Sequence, residues 1–373
     1  MSNNICGIIL NVKHGFTKGK EINFCGKSSL EWLKIALDND LCGVVDFQEP
    51  QNDFLNSIKP LINITRKYTA VLYSDTPLVT NSTLELILHT LVHNKLPAIN
   101  LGRGWVFETE FLIKLDRLPK LLPLNICEND FSVVNNFVQV ERVTRILNDR
   151  ILDYHMNNGV HIMDKNSTHV DCEVQIAVGT TIHPNNILKN NTEIKDNVIL
   201  KEGNTIDNSI IDSGAIIHNS VINDSYVGKN TTVGPYARLR PDSIIGNKCK
   251  IGNFVEIKNS LIGDGTKVSH HTYIGDAQVG VNCNFGCGVV VANYDGVHKN
   301  PTKIGSNVFV GANSTLIAPI VLEHKSYVAA GSTLTKPVPQ GNLGIARARQ
   351  ENKPNYIPKA YRNMQRDTQN RSE

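Results

Sequence analysis

Arg240, Lys258 and Lys299 are three cationic residues spread through the second half of a 373-residue chain. An arginine binds a phosphate group as a planar fork, and a lysine binds it as a point charge. If the fold brings these side chains to one face, they could therefore clamp a phosphate. They could equally be solvated charges at the edge of the fold, and their spacing alone leaves both interpretations open.

Two adjacent histidines, His270 and His271, follow the second of these cations. A histidine titrates near neutral pH and can remove a proton from an attacking amine or hydroxyl group. Glu256 could orient such an imidazole. A hydrogen-bonded surface histidine is the alternative. Zinc binding is a further alternative, although His218 and His298 do not share a common interval with the adjacent pair.

These residues lie in a stretch with a six-residue period, and this period indicates the element that must position them. Neither an α-helix nor an alternating strand has a period of six, whereas a three-sided parallel β-helix places one inward aliphatic residue on each side of every turn. Residues about 18 positions apart stack on such a coil, so Arg240 and Lys258 are predicted to point the same way. The inward positions are Val227, Val233, Leu239, Ile245, Ile251, Ile257, Ile262, Val268, Ile274, Val279, Phe285, Val291, Ile304, Val310, Leu316, Leu322, Val328 and Leu334.

The period is interrupted between Val291 and Ile304. The intervening string ANYDGVHKNPTK contains Asp-Gly and Asn-Pro turn signals, which predict a loop that leaves the coil. Loops on rigid scaffolds often carry functional residues. The spacing thus predicts a coil, a cationic face, a histidine and a loop.

The first third of the chain alternates two kinds of apolar pattern. CGIILNV, LCGVVDF and YTAVLYSD indicate strands, and SSLEWLKIALDND and NSTLELILHTLVHN indicate helices. We expect Ser28 and Ser29 to cap the first helix, and Asn81 or Ser82 to cap the second. Alternation of strands and helices predicts a mostly parallel sheet with any ligand at the carboxyl ends of its strands, where Asp75 lies.

Four segments are therefore expected. Residues 1–134 form an α/β domain, residues 135–159 a linker containing a helix at 137–156, residues 160–349 the β-helix, and residues 350–373 a polar C-terminal arm. At 1.5 Å per residue the linker helix would span about 30 Å and join the two domains as a rigid arm.

The composition excludes several classes of protein. A formal charge of +3 is too small to indicate a nucleic acid or an anionic membrane as partner. No apolar run reaches the roughly 18 residues of a membrane span, and no basic leader precedes the first apolar run. The eight cysteines show neither a CxxC pair nor zinc spacing. We expect a cytoplasmic protein with reduced, inert thiols.

Several motifs in order carry a resemblance to a known family: VGPYARLRP, IGNFVEIKNS, His270-x-x-Tyr273, YIGDA, ANYDG and GIARARQ. Over residues 226–355 they resemble the acetyltransferase domain of the bifunctional N-acetylglucosamine-1-phosphate uridylyltransferase/glucosamine-1-phosphate acetyltransferase family. The resemblance implies a left-handed β-helix that forms a homotrimer. It also implies acetyl transfer from acetyl-CoA to the amine of glucosamine 1-phosphate, for UDP-N-acetylglucosamine and cell-wall precursor synthesis.

The same resemblance implies roles for individual residues. His270 matches the general base that deprotonates the sugar amine, a role worth about 10²–10⁴-fold in rate, and Glu256 matches its supporting carboxylate. Backbone N–H groups or Asn293 would hold the oxyanion. Cys287 and Ala312 replace alanine and serine of the family, so we expect altered coenzyme affinity rather than lost activity. The positions at the sugar and its phosphate are Arg240, Lys258, Tyr273, Asn284 and Lys299, and those at the coenzyme are Cys287, Asn293, Tyr294, Ala312, Ala330 and Arg347.

The first third resembles the family's uridylyltransferase domain less fully. Asp75 and Asn135 match its two Mg²⁺ ligands. However, the Gly-rich nucleotide loop LAAGxGTRM is replaced by ILNVKHGFTKGK, which lacks most of the glycines that let a backbone approach a phosphate closely. The domain is also shorter than the family's. We expect a reduced Rossmann-like nucleotidyltransferase fold whose uridylyltransferase activity is degenerate.

Three functional hypotheses follow. The first is an acetyltransferase that uses small-molecule substrates as a homotrimer. The second is a bifunctional enzyme that also performs Mg²⁺-dependent uridylyl transfer from UTP to N-acetylglucosamine 1-phosphate. The third, for residues 1–134, is a docking or structural module without catalysis. None of the three requires a nucleic acid or a membrane span.

Overall fold

The computed structural model describes residues 4–12, 22–47, 55–124, 126–354, 356 and 361. Most of the string that replaces the nucleotide loop, and most of the C-terminal arm, lie outside these residues. The strands of the N-terminal domain are β1 (Ile5–Val12), β2 (Asn23–Phe24), β3 (Lys27–Ser28), β4 (Leu41–Phe47), β5 (Tyr68–Tyr73), β6 (Ala98–Asn100) and β7 (Gly104–Glu108). The helices are α1 (Ser29–Leu37), α2 (Leu55–Ile58), α3 (Asn81–His93), α4 (Thr109–Ile113) and α5 (Phe137–Asn157).

The N-terminal domain is built on a five-stranded sheet in the order β4-β1-β5-β7-β6. β4, β1 and β5 run parallel, as predicted, whereas β7 is antiparallel to both of its neighbours. The antiparallel β6–β7 hairpin was not predicted. α1 and α3 bury their apolar faces against the sheet, including the predicted α3 residues Leu84, Ile87, Leu88 and Leu91.

The two helix caps differ in how well the sequence predicted them. Ser28 caps α1, and Glu31 completes a capping box by accepting from the Ser28 N–H. The predicted caps of α3 are wrong: Asn81 and Ser82 lie inside the helix, and Thr80 accepts from the N–H of Thr83. Four residues of cap-forming types follow one another at positions 80–83, so residue type alone does not select among them.

The expectation of eight free thiols is also wrong, because Cys6 and Cys42 form a disulfide. They are 36 residues apart in sequence, but β1 and β4 are hydrogen-bonded neighbours. Their Cα atoms therefore lie 5.8 Å apart, a distance that a disulfide spans. The buried thiols of Cys249 and Cys283 are free, and burial raises their pKa values, which keeps them protonated and unreactive.

α5 joins the N-terminal domain to the coil and confirms the predicted linker helix. Its Val143 and Leu147 pack with Phe24 and Leu78 of the N-terminal domain. Leu152, one turn later, belongs to the core of the coil. The helix therefore contributes to both cores. No helix within the described ranges is long and apolar enough to span a membrane.

From His161 to Gly344 the chain forms the predicted parallel β-helix, whose three sides we call faces 1, 2 and 3. All eighteen predicted inward residues from Val227 to Leu334 are buried. Face 1 contains the strands His161–Ile162, Thr181–Ile182, Ile199–Leu200, Ile216–Ile217, Thr232–Val233, Lys250–Asn253, Lys267–His270, Asn284–Phe285, Phe309–Val310, Tyr327–Val328 and Leu343–Gly344. Face 2 contains His169–Val170, Ile187–Lys189, Thr205–Asp207, Val221–Asn223, Arg238–Leu239, Glu256–Lys258, Tyr273–Gly275, Val290–Ala292, Thr315–Ile317 and Thr333–Leu334. Face 3 contains Gln175–Ile176, Glu193–Ile194, Ile210–Ile211, Ser225–Val227, Ser243–Ile245, Ser260–Ile262, Ala277–Val279, Thr302–Ile304 and Ile320–Leu322.

Candidate active site

A column of five residues runs along the corner where face 1 gives way to face 2. Successive members lie one turn apart and are joined through the backbone. The N–H of the residue that follows one member donates to the carbonyl of the member one turn below, at 2.7–3.3 Å. Above His270 every member is small, and Cys287 and Ala330 are exposed, so no bulky side chain of the column fills this corner. This corner column consists of Asn253, His270, Cys287, Ala312 and Ala330.

The structure therefore brings the predicted base into line with three of the predicted coenzyme contacts. The sequence predicted these contacts only through the resemblance, because the loop before Ile304 hides the stacking interval. Arg347, another of them, donates to the carbonyl of Ala330 at 2.7 Å. The side chains of His270 and Arg347 are both exposed.

The predicted phosphate clamp lies on and beside face 2. Arg240 and Lys258 stack on successive turns, as their spacing predicted, and the Arg240 N–H donates to the carbonyl of Ile257. Contact with the Lys299 amino group lowers the pKa of Lys258 from its ordinary 10.5, helped by burial and by Arg240 and opposed by Asp276. Like charges held this close favour an anion between them.

Glu256 and His270 are not hydrogen-bonded to each other. The Glu256 carboxylate instead accepts from the Arg240 guanidinium at 2.8 Å. Within the described residues no hydrogen bond reaches the His270 ring. Its nitrogens are free to meet a substrate, and support of the ring by Glu256 stays a prediction.

The predicted loop leaves the coil between Ala292 and Thr302 and is called here the excursion loop (residues 293–301). Asp295 holds it together by accepting from the N–H groups of Val297 and His298, and these bonds lower its pKa. Asn293, at the start of the loop, is buried, whereas Tyr294 is exposed.

Three further residues near this loop were missed by the sequence reasoning. The carboxylate of Asp276 accepts from the side-chain amides of both Asn259 and Asn293. Together with Lys299, Asn259 and Asp276 line a groove of about 430 Å³ that extends onto face 3. The third is Gly275, which is covered by the Tyr273 hydroxyl and the Asn293 amide. The only signal was their position in the YIGDA and IGNFVEIKNS motifs.

Two predicted sugar-site residues lie on different faces. Tyr273 pairs with Glu256 on face 2, and Asn284 pairs with Lys267 on face 1. One copy of the coil therefore spreads the predicted set over two faces and their shared corner.

The predicted metal ligands of the N-terminal domain do not suit a magnesium ion. Asp75 is buried, and both of its carboxylate oxygens accept from Arg103, which also lies 4.0 Å from the centre of the Tyr73 ring. Asn135 is exposed, and its carbonyl oxygen accepts from Asn136. Mg²⁺ requires free oxygen ligands in octahedral geometry, and the guanidinium already neutralises the carboxylate. Across the described ranges, no group of three or more histidine, cysteine or acidic side chains is arranged to hold a metal.

Comparison with known proteins adds a family relationship. Residues 221–333 match the family model of the GMPPB C-terminal domain. The bifunctional protein GlmU of Clostridium beijerinckii is 44% identical over 277 residues, which cover 74% of this chain and 60% of that protein. GlmU of Clostridium kluyveri is 49% identical over 226 residues, which cover 61% and 50%. A solved UDP-N-acetylglucosamine acyltransferase of Arabidopsis is 16% identical with a TM-score of 0.39, over 48% of this chain and 70% of that one. This chain spans 50–60% of the length of these two curated relatives, and by sequence it is a homologue of the bifunctional GlmU proteins.

Proposed function

We propose that the coil transfers an acetyl group from acetyl-CoA to the amine of glucosamine 1-phosphate. The observation that carries this proposal is the position of His270. It lies at the lower end of a column of small residues, at the corner where face 2 begins, and face 2 carries Arg240 and Lys258 toward its other end. A base on the same coil as a column that can accept an extended thioester and a clamp that can accept a phosphate suits acyl transfer to an amino sugar phosphate.

The chain's own residues would act as follows. Arg240, Lys258 and Lys299 bind the phosphate and fix the sugar. The imidazole of His270 takes a proton from the sugar ammonium, which frees the nitrogen lone pair. The carbon–nitrogen bond then forms and the nitrogen loses a second proton to solvent, the carbon–sulfur bond breaks, and the departing thiolate receives the proton held by the imidazolium. Ala312 and Ala330 leave room for the coenzyme along the corner column.

Binding at the phosphate clamp should depend on pH. In the free protein, Lys299 keeps the pKa of Lys258 below 10.5. A phosphate between the two ammonium groups removes their repulsion and raises that pKa again, so binding takes up a proton when the pH lies between the two values. Affinity for the sugar phosphate should therefore fall as the pH rises through the lowered pKa of Lys258.

We propose that a homotrimer completes the site. The predicted set is spread over two faces of one coil, so a neighbouring copy can bring its face 1 against this face 2. An exposed aromatic ladder lies beside the corner column: the rings of Tyr236 and Phe254 stack at 5.4 Å, and those of Phe254 and His271 at 4.9 Å. Exposed apolar clusters of this kind mark association surfaces. Sedimentation at equilibrium should give three times the chain's mass of 41.3 kDa.

We further propose that the N-terminal domain does not catalyse uridylyl transfer, because Arg103 occupies the carboxylate that Mg²⁺ would need. Purified protein should release no pyrophosphate from UTP and N-acetylglucosamine 1-phosphate in the presence of Mg²⁺. Release that requires Asp75 would overturn this part of the proposal. Without uridylyl transfer, the N-terminal domain serves as a structural or docking module. We expect the whole protein in the cytoplasm.

The acetyl transfer itself is tested by replacing the base. Release of the coenzyme A thiol should fall at least a hundredfold in His270→Ala, which removes a general base. His169→Ala is the matched control, because it removes another exposed histidine of the coil far from the corner column. Equal rates for the wild type and His270→Ala would remove His270 from the mechanism.

A further inference from the structure

A second corner of the coil, between faces 2 and 3, is occupied by asparagine and aspartate. These residues adopt a left-handed backbone, with φ of +43° to +63°, that their short polar side chains tolerate. We call this the Asx corner, and its members on successive turns are Asn208, Asp224, Asp242, Asn259 and Asp276. Asp276 is the last member before the excursion loop leaves the coil.

Asp276 differs from the members below it because its carboxylate has amide partners on two sides. The Nδ2 group of Asn259, one turn below, donates to Oδ1 at 2.5 Å. The Nδ2 group of Asn293, one turn above, donates to Oδ2. An ionised carboxylate only accepts hydrogen bonds, so both amides must turn their nitrogen toward it.

This constraint decides which atom Asn293 offers to a substrate. Asn293 is 7% exposed, and no donor among the described residues reaches its Oδ1. Among the described residues, the fully buried side-chain oxygens and nitrogens without a hydrogen-bond partner are Thr302 Oγ1 and Ser326 Oγ. Asn293 Oδ1 also lacks a partner but does not belong to this fully buried set, so it contacts solvent. Asn293 therefore presents an acceptor to the outside, although the resemblance had suggested a donor for an oxyanion.

The acceptor lies among the other residues of the proposed site. A Cβ built on Gly275 would collide with both the Tyr273 hydroxyl and Asn293 Nδ2, so these two groups converge over the same glycine. Lys258 pairs with Gly275 in the adjacent strand, and Asp276 acts on the charge of Lys258. An acceptor at this place can bind the N–H of an amine held by the phosphate clamp.

We propose that Asp276 is the positioning residue that fixes the Asn293 amide with Oδ1 outward, as the acceptor for the amino group of the substrate. This inference rests on the acetyl transfer proposed above. Asp276 does not itself touch the reacting atoms. It acts through Asn293, and it selects an amine over a hydroxyl because an amine retains an N–H to donate while its lone pair attacks.

Asp276→Asn tests the proposal with almost no change in shape. Asn259 needs an acceptor, so the new amide keeps its oxygen toward Asn259 and turns its nitrogen toward Asn293. Asn293 must then accept with Oδ1 and present its NH₂ group outward. The kcat/KM for glucosamine 1-phosphate should fall roughly 10- to 100-fold, because the substrate amine then faces a donor.

Asp224→Asn is the matched control. Asp224 occupies the same Asx corner with φ of +44°, and its carboxylate accepts from Asn208 Nδ2 at 2.7 Å. No hydrogen bond or ion pair among the described residues joins that carboxylate to a residue of the proposed site. Its replacement should leave kcat/KM within about twofold of the wild type. An equal loss in Asp224→Asn and Asp276→Asn would reduce Asp276 to a structural member of the corner.

A double-mutant cycle tests whether Asp276 acts through Asn293. Once Asn293→Ala has removed the amide, adding Asp276→Asn should lower the rate no further. Two independent losses that multiply would show that Asp276 acts by another route, such as the charge of Lys258, and would overturn the proposal.

A structural readout separates this inference from the proposed reaction. Crystal structures at about 1.2 Å or better, where amide hydrogens become visible, should show Asn293 Nδ2 toward Asp276 in the wild type and Oδ1 inward in Asp276→Asn. An unchanged amide would refute the positioning role even in an active enzyme. A flipped amide in a protein without acetyl transfer would leave the positioning intact and refute the reaction.

Discussion

Gly275→Ala should separate the activity of the coil from its stability. Gly275 lies in a face 2 strand with its Cα toward the outside, and its φ is not in the left-handed region, so the backbone accepts alanine. The new methyl group would lie 2.8 Å from Asn293 Nδ2, where ordinary contact begins at 3.4 Å, and it would meet the Tyr273 hydroxyl more closely still.

The size of the effect follows from these contacts. Asn293 must move by at least about 0.6 Å, and Tyr273 by more, to restore ordinary contact. A displacement of about 1 Å in a positioning group lowers a rate by about 10²-fold, which corresponds to about 2.7 kcal/mol of activation free energy. Both colliding atoms are the ends of side chains rather than backbone, so the free energy of unfolding should fall by no more than about 1–3 kcal/mol.

The assay compares kcat/KM for thiol release with the midpoint of urea unfolding. Gly43→Ala is the matched control, because its methyl group would also lie 2.8 Å from the end of a flexible side chain, that of Leu61, in the N-terminal domain. It should leave the rate unchanged. If Gly275→Ala keeps the wild-type rate, Tyr273 and Asn293 do not act where the proposed site requires them.

Three further predictions concern stability. Thr302→Val should leave the urea midpoint unchanged or raise it, because the buried Thr302 hydroxyl has no partner among the described residues. Thr266→Val is the control and should lower the free energy of unfolding by about 1–3 kcal/mol, because the Thr266 hydroxyl bonds two backbone groups. Burial lowers the pKa of His155 below 6.5 in the folded protein, so as the pH falls the unfolded chain binds the extra proton first. The melting temperature should therefore fall as the pH drops from 6.5 to the lowered pKa. His155→Phe should remove this dependence. Reduction of the Cys6–Cys42 disulfide, which closes a loop of 36 residues, should destabilise the N-terminal domain by about 3–4 kcal/mol and leave the coil's unfolding transition in place.

The periodic part of the fold was predictable because each turn repeats the same burial requirement. Between Ile206 and Val227 the buried aliphatic residues are five or six positions apart rather than regularly six, and the strand pairing gives the cause. Thr205 pairs with Val221, 16 residues on, whereas Thr181 pairs with Ile199, 18 residues on, so one turn is shorter. A five-residue side still buries one aliphatic residue, and therefore the period shifts without a break in the core.

The candidate site was predictable only where stacking distance follows from spacing. Arg240 and Lys258 stack because they are 18 residues apart, but Asp276 and Asn293 meet because the coil brings a corner residue under the first residue of a loop. In the N-terminal domain, Arg103 reaches the carboxylate of Asp75 through a hairpin turn that no pattern announced. Long-range contacts of this kind depend on tertiary packing, which local patterns do not encode.

The most direct test of the central claim is thiol release by the purified full chain, mixed with acetyl-CoA and either glucosamine 1-phosphate or glucose 1-phosphate. The two sugars offer the same phosphate to the clamp and differ in the amine that His270 would deprotonate. The proposed function predicts rapid release with glucosamine 1-phosphate and only background release with glucose 1-phosphate. Equal release with both sugars, or none with either, would contradict it.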